Sequence, residues 1–219
     1  MKEKTMRTLG LALLGLLAFN ARTARPATAG RAADAPAATF RIDAARSDFL
    51  VRAFAGGALW FKGHDHFVRP REFSGEVTLT PGAITPASLT MSVRAASLAE
   101  TRDVFTEPQK RIIDRELREI VVEPDKYPEI SFKSAGVKVD APAGGEFGAR
   151  IAGDLTLHGV TRRVEIPARV SMTGEDLRAR GEFDISRRDF NVKATSAFHG
   201  TVRVRDKLRI IFNIVARRV

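Results

Sequence analysis

With 219 residues, 44% hydrophobic and 28% charged, the chain has enough apolar material for one buried core and the composition of an ordinary globular domain. The absence of cysteine excludes structural disulfides, a lipidated cysteine and thiol nucleophiles. The formal charge of +10 is no nucleic-acid signature: Lys2, Lys4, Arg7, Arg22 and Arg25 against Glu3 account for +4 of it near the N-terminus, and the rest alternates with acids. There is no arginine-rich arm and no basic patch interleaved with aromatics, so no nucleic-acid partner is expected. The excess charge reads as a solvated surface with a mild attraction to anionic headgroups, which makes peripheral contact with a membrane or a membrane protein an expectation.

In chain order, "MKEKTMR" is a basic opening, "TLGLALLGLLAF" an apolar stretch too short to cross a bilayer, and Ala27-Thr28-Ala29 a small-x-small cleavage pattern. Residues 1–29 are therefore expected to be a signal peptide cleaved after Ala29, with export to the periplasm. Residues 30–38, "GRAADAPAA", read as a flexible lead-in, and the domain spans 39–219.

From there the dominant period is two, the mark of strands with one buried face. "REFSGEVTLT" turns Phe73, Gly75, Val77 and Leu79 one way, and "SLTMSVRA" does the same with Leu89, Met91, Val93 and Ala95. "EPQKRIIDRELREIVVE" (107–123) breaks the pattern, because its apolar residues recur at helical spacing, and predicts one short amphipathic helix. In "EISFKSAGVKVD" the apolar parity switches between Phe132 and Val137, which calls for a bulge near Ala135 and Gly136. "ARIAGDLTLHGVTRRVEIPARVSM" is a hairpin around a glycine turn; "LRARGEFDI" and "KLRIIFNIVARR" follow, the first entered by a turn at Gly174 and Glu175. About eight such strands joined by short turns must hide their edges, and a meander of this kind closes into an all-β, eight-stranded, up-and-down antiparallel barrel.

A barrel of that strand number is either filled by its own side chains or just wide enough for one small apolar ligand. The inward stripe of Phe49, Val51, Phe73, Val77, Leu89, Met91, Val93, Phe132, Leu155, Phe183 and Phe212 fits both versions. Small residues in the same stripe, among them Gly75, Gly153, Ala168, Ala179 and Gly181, reduce the volume available to fill the centre and favour a cavity. Phe54, Trp60 and Phe61 beside Gly56-Gly57 form an aromatic cluster suited to closing one end, as a gate over a ligand or as a permanent plug.

"DKYPEISFKS" (125–134), "GDLTLHGVTRRVEIP" (153–167) and "ISRRDFNV" (185–192), with the opening "FRIDAARSDFLVRAF", resemble in order and spacing the signatures of the YceI-like family of periplasmic lipid- or polyisoprenoid-binding proteins. The resemblance implies a lipocalin-like barrel holding a polyisoprenoid or other long-chain lipid in an elongated apolar tunnel, as carrier or scavenger. It implies no enzyme activity and no cofactor, and the chain is expected to be a monomer or weak dimer. The ligand-binding residues that follow are Phe49, Phe54, Trp60, His64, His66, Phe73, Val77, Met91, Val93, Phe132, Leu155, Phe183 and Phe212. Two positions depart from the family pattern: Arg46-Ser47 stands where histidine-serine is frequent, and Asn191 where glycine is usual.

The "GHDH" segment carries two of the four histidines, His64 and His66, around Asp65. An i, i+2 pair on a strand faces one way, so the alternative reading is a periplasmic metal- or haem-handling protein in which His64 and His66 are ligands. A firm site needs three or four donors, drawn from His158, His199, Asp65 or Asp154. His158 itself is expected on the polar face of its strand, with Asp154 and Thr156. A third reading is a structural barrel whose basic outer face docks a membrane protein. No Gly-x-Ser-x-Gly elbow, paired carboxylates on a shared loop or phosphate-cradling glycine loop is present, so catalytic residues are not assigned.

Overall fold

The computed structural model describes residues 36–80, 83–140, 145–197 and 199–219; the expected signal peptide and most of the lead-in lie outside the described residues. The alternating runs become strands β1 (Ala38–Ile42), β2 (Asp48–Gly56), β3 (His66–Pro70), β4 (Phe73–Thr80), β5 (Ala83–Arg94) and β6 (Leu98–Glu100). After the helix α1 (Glu107–Glu116) come β7 (Glu129–Val139), β8 (Phe147–Leu157), β9 (Val160–Thr173), β10 (Asp176–Ser186), β11 (Ser196–Ala197) and β12 (Val202–Arg218). All pairings are antiparallel. β1 pairs with β4 while β2 pairs with β3, and β3 pairs with β6 while β4 pairs with β5. The first six strands are thus three staves, each broken once. With β7, β8, β9, β10 and β12 they close an eight-stave barrel, sealed where β1 meets β12 with Ile42 opposite Ala216.

Two of the three breaks are bridged by serine hydroxyls. Between β1 and β2, Asp43 accepts from the Ala45 amide at 3.1 Å, and Ser47 Oγ accepts from the Val215 amide at 2.9 Å, taking over a ladder position. Between β3 and β4, Pro70 is followed by two residues off the ladder; Glu72 N donates to Ser97 Oγ at 3.1 Å, and Ser97 Oγ donates to Arg94 O at 2.7 Å. Buried amides left without such acceptors would cost the strand more than the turn gains.

The wall from β7 to β12 has no such breaks. β8 and β9 stay in register from Phe147 opposite Val170 to Leu157 opposite Val160. The slip between Ser134 and Gly136 is the bulge expected near Ala135, and it lets Phe132 and Val137 both face inward, while β12 slips once against β2 between Val204 and Leu208. The helix starts where the periodicity places it, with Gln109 Oε1 accepting from the Thr106 amide at 2.8 Å. It widens into a π-helical turn, Leu117–Val122, whose extra residue per turn buries Leu117 and Val122 while Ile112 stays 48% exposed. No helix among the described residues is long and apolar enough to cross a membrane.

Phe40, Leu79, Leu177 and Ala216, each at most 3% exposed, pack one end of the barrel solid. Each large side chain buried there contributes roughly 1.5–3 kcal/mol. Two glycines of the inward stripe act differently from expectation. A Cβ on Gly153 would lie 2.4 Å from Phe132 Cζ and 2.6 Å from the Lys133 carbonyl oxygen; one on Gly181 would lie 2.3 Å from the Pro167 carbonyl oxygen and 2.8 Å from Phe212 Cζ. These glycines seat aromatic rings and do not by themselves open space. Asn191 sits at φ 55°, a left-handed position where its short amide side chain replaces glycine at small cost.

Candidate functional site

Beyond the packed end the barrel is hollow. Its cavity of about 290 Å³ lies near the lower bound, roughly 300 Å³, of small-molecule clefts. The staves contribute Phe49, Val51, Val77, Leu89, Met91, Val93, Phe132, Leu155, Phe183 and Phe212, and the helical segment covers the space with Ile113, Leu117, Val121 and Val122. The lining turns polar at one end, where β2 finishes, β3 begins and the 187–195 segment passes: His66, Arg187, Lys193 and Thr195, joined by Glu116 from α1. Lys193 is exposed, so the cavity reaches solvent there. Elsewhere only Ser88 and Ser131 add polar lining, near the point where β5 and β7 part beyond Thr90 and Lys133.

Nine of the thirteen residues expected to bind a ligand line this cavity; Phe54, Trp60, His64 and Phe73 do not. Phe73 packs against the core beside it. Trp60 and Phe61, 55% and 63% exposed, neither gate nor plug the barrel. Their short turn, Trp60–Lys62, projects from the surface. His64 and Phe54 border a separate groove of about 380 Å³ with Trp60, Phe61, Asp65, Arg102 and Arg205.

His66 and His64 are brought together, but around a phenyl ring. Phe105 stacks on His66 at 5.3 Å and meets His64 edge-on at 5.6 Å. His66 Nδ1 donates to Glu100 Oε2 at 2.8 Å, and Glu100 Oε1 accepts from the amides of Phe67, Thr101 and Arg102 at 3.1, 2.9 and 2.9 Å. Burial pushes the Glu100 carboxyl up, but the His66 ring and the backbone donors outweigh it and hold it below the usual range. Asp65 accepts from Arg52 Nη2 at 2.7 Å and from the Ala55 amide at 3.0 Å, so it ties β2 down and orients neither histidine. Among the described residues no three histidine or acidic side chains are placed to hold a metal ion. Both imidazoles are engaged with carbon and carboxylate partners, an arrangement that does not favour the alternative metal reading.

His158 is placed differently from the strand reading. It occupies the β8–β9 turn at φ 51°, is 7% exposed, and donates from Nε2 to Glu123 Oε2 at 2.8 Å beneath Tyr127. Lys126 and His158 together hold the Glu123 carboxyl down at about 2. His158 still faces away from the cavity, but the β8–β9 turn buries it under Tyr127, which packs so close that a Cβ at Gly159 would meet its ring at 2.6 Å. Sequence reading missed Glu100, whose burial depends on a strand of three residues, and the helical residues that cover the cavity. The amphipathic spacing of 107–123 was the available signal for the latter.

Comparison with known proteins gives the family. The model of the YceI-like domain matches residues 40–216. Two UPF0312 proteins of Pseudomonas putida are 31% and 30% identical over 106 residues, 48% of this chain and 50% of each relative, so the match spans about half their length. Among solved structures, BcnA of Burkholderia cenocepacia superimposes with a TM-score of 0.60 at 22% identity, covering 80% of this chain and 98% of that one. A polyisoprenoid binding domain from Saccharophagus degradans, implicated in plant cell wall breakdown, gives 0.58 at 14% identity, covering 84% and 100%. At these identities the structural likenesses establish the barrel fold alone.

Proposed function

The chain belongs to the YceI-like domain family, and from that premise we propose that its barrel binds one long-chain amphiphile of the polyisoprenoid class. The apolar chain lies in the cavity, and the polar end rests among His66, Arg187, Lys193 and Thr195. The observation that carries the reading is the distribution of polarity: a carbon-lined interior whose charged residues gather at one end. Burial of the chain supplies the driving force, roughly 0.8 kcal/mol for each methylene withdrawn from water. The polyisoprenoid binding domain of the same fold supports the ligand class. The protein acts without catalysis, as an exported periplasmic carrier or scavenger, monomeric or weakly dimeric.

Native mass spectrometry of protein purified from the producing cell tests this. A mass increment of several hundred daltons or more that is lost on denaturation, with a lipid found in the released fraction, is the expected result. An increment matching a metal ion, or protein that takes up no long-chain lipid from micelles, overturns it.

A further inference from the structure

We propose that the Trp60–Phe61 turn and the cations around it form a docking surface for an anionic lipid bilayer. Trp60, Phe61 and Val104, 55%, 63% and 49% exposed, are three of the large hydrophobic side chains left open to solvent, and all lie at the end where the cavity lining becomes polar. Continuity is direct: Ala53 and Val204 line the cavity, while Ala55 lies opposite Val204 and borders the groove beside Trp60.

The aromatic pair is presented by a built turn and not by a loose end. Leu59 N donates to Thr201 O at 3.0 Å, Lys62 N to Leu59 O at 2.9 Å and Gly63 N to Trp60 O at 3.0 Å. The two rings meet edge-on at 6.4 Å. A soluble protein gains nothing from fixing two large aromatics in water, whereas an aromatic tip suits the headgroup level of a membrane.

The charge around the tip supplies the lipid class. Lys62, Arg203 and Arg205 are exposed, and among the described residues none has a carboxylate within ion-pair distance. Arg205 instead donates from Nε to Ala55 O at 2.7 Å and Arg102 from Nη1 to Asp65 O at 2.7 Å, which holds both guanidinium groups along the groove. Of the acids nearby, Asp65 is bound to Arg52, Glu100 to His66 and Asp206 to Arg188, while Glu116 and Asp103 complete the set. Other cations of the barrel do have carboxylate partners: Arg209 and Lys207 with Asp184, Arg180 with Glu146, Arg163 with Asp154. Unmatched cations beside exposed aromatics attract an anionic surface and seat the tip in it.

The docking stands whether or not the cavity carries a lipid. Trp60 is the only tryptophan, so its emission reports on the tip alone. Protein titrated with vesicles of phosphatidylglycerol and phosphatidylcholine should show a blue-shifted Trp60 emission and co-sedimentation, both reduced about tenfold by raising salt from 0.05 to roughly 0.5 M. The Lys62→Glu/Arg203→Glu double variant should co-sediment at least about tenfold less, and Phe61→Ser should also weaken binding, each with an unchanged unfolding midpoint. Ala179→Phe, which fills the cavity, should bind vesicles like wild type. Equal binding to pure phosphatidylcholine, no binding to either vesicle, or a shift absent in Ala179→Phe would overturn the docking. So would binding confined to native membranes with their proteins in place. Failure of these arms while native mass spectrometry still finds a bound lipid removes the docking surface and leaves the carrier reading standing.

Discussion

The two sides of this barrel solve one problem in opposite ways. From β7 through β12 the staves run unbroken, their ladders hold register for many residues, and Gly153 and Gly181 let Phe132 and Phe212 lie flat against the backbone. From β1 through β6 each stave breaks once, and at two of the breaks a serine hydroxyl from a break segment takes over a missing ladder position. The staves of the unbroken side line the cavity with carbon apart from Ser131, and polar residues enter only with the 187–195 connection between β10 and β12. On the broken side the helix covers the cavity, and His66 meets Glu100 at its polar end. Polar chemistry collects where the ladder stops, because only there are unpaired amides available to hold a buried carboxylate such as Glu100.

The comparison can be broken first at Glu100. Its side chain is fully buried and satisfies three amides and one imidazole. Glu100→Ala should destabilise the fold by roughly 3 kcal/mol or more, measured as a lower urea midpoint. A loss below about 1 kcal/mol would show that the broken side does not depend on this carboxylate. On the unbroken side Gly153→Ala should cost roughly 1–3 kcal/mol, since the Lys133 carbonyl oxygen lies 2.6 Å from the added Cβ and cannot swing aside. Replacing Gly153 by Phe is therefore a folding defect and no probe of the cavity. Ser97→Ala, which orphans the Glu72 amide, should cost about 1–2 kcal/mol and loosen the junction of β3 and β4 in hydrogen exchange.

These contrasts mark what the sequence disclosed. Alternation is a local property, so the unbroken staves, the bulge at Ala135 and the hairpin turns could be read directly from residues a few positions apart. The breaks could not. Ser47 and Ser97 look like any surface serine until Val215 and Glu72 are placed beside them, and β6, three residues long, carries too few positions to show a period. The cavity was half legible: large and small inward residues pointed to it, but the glycines proved to be seats for rings, and part of the lining comes from the helix. The burial of His158 could not be read because its cover, Glu123 and Tyr127, comes from a distant segment of the chain.

A smaller effect concerns acid. Glu123 is held at about 2, against about 4.3 for a free glutamate. Its bonds to His158 and Lys126 therefore stabilise the fold fully above about pH 4.3, and this contribution is lost as pH falls through about 2. Glu123→Gln should lower the thermal midpoint at pH 7, and the gap to wild type should narrow as the pH approaches 2. A gap independent of pH would mean that the ion pairs of Glu123 do not anchor the β8–β9 turn.

Ligand binding in the cavity is tested most directly by displacement of an environment-sensitive long-chain fluorophore by unlabelled isoprenoid alcohols of increasing length, compared between wild type and Ala179→Phe. Ala179 lines the cavity from the unbroken wall, and a phenyl ring there takes up space otherwise open to a ligand. One-to-one binding to wild type should tighten with chain length until the cavity is filled, and a folded Ala179→Phe of near-normal stability should bind none. Equal binding by both proteins, or no binding by wild type at any chain length, would contradict binding in the cavity.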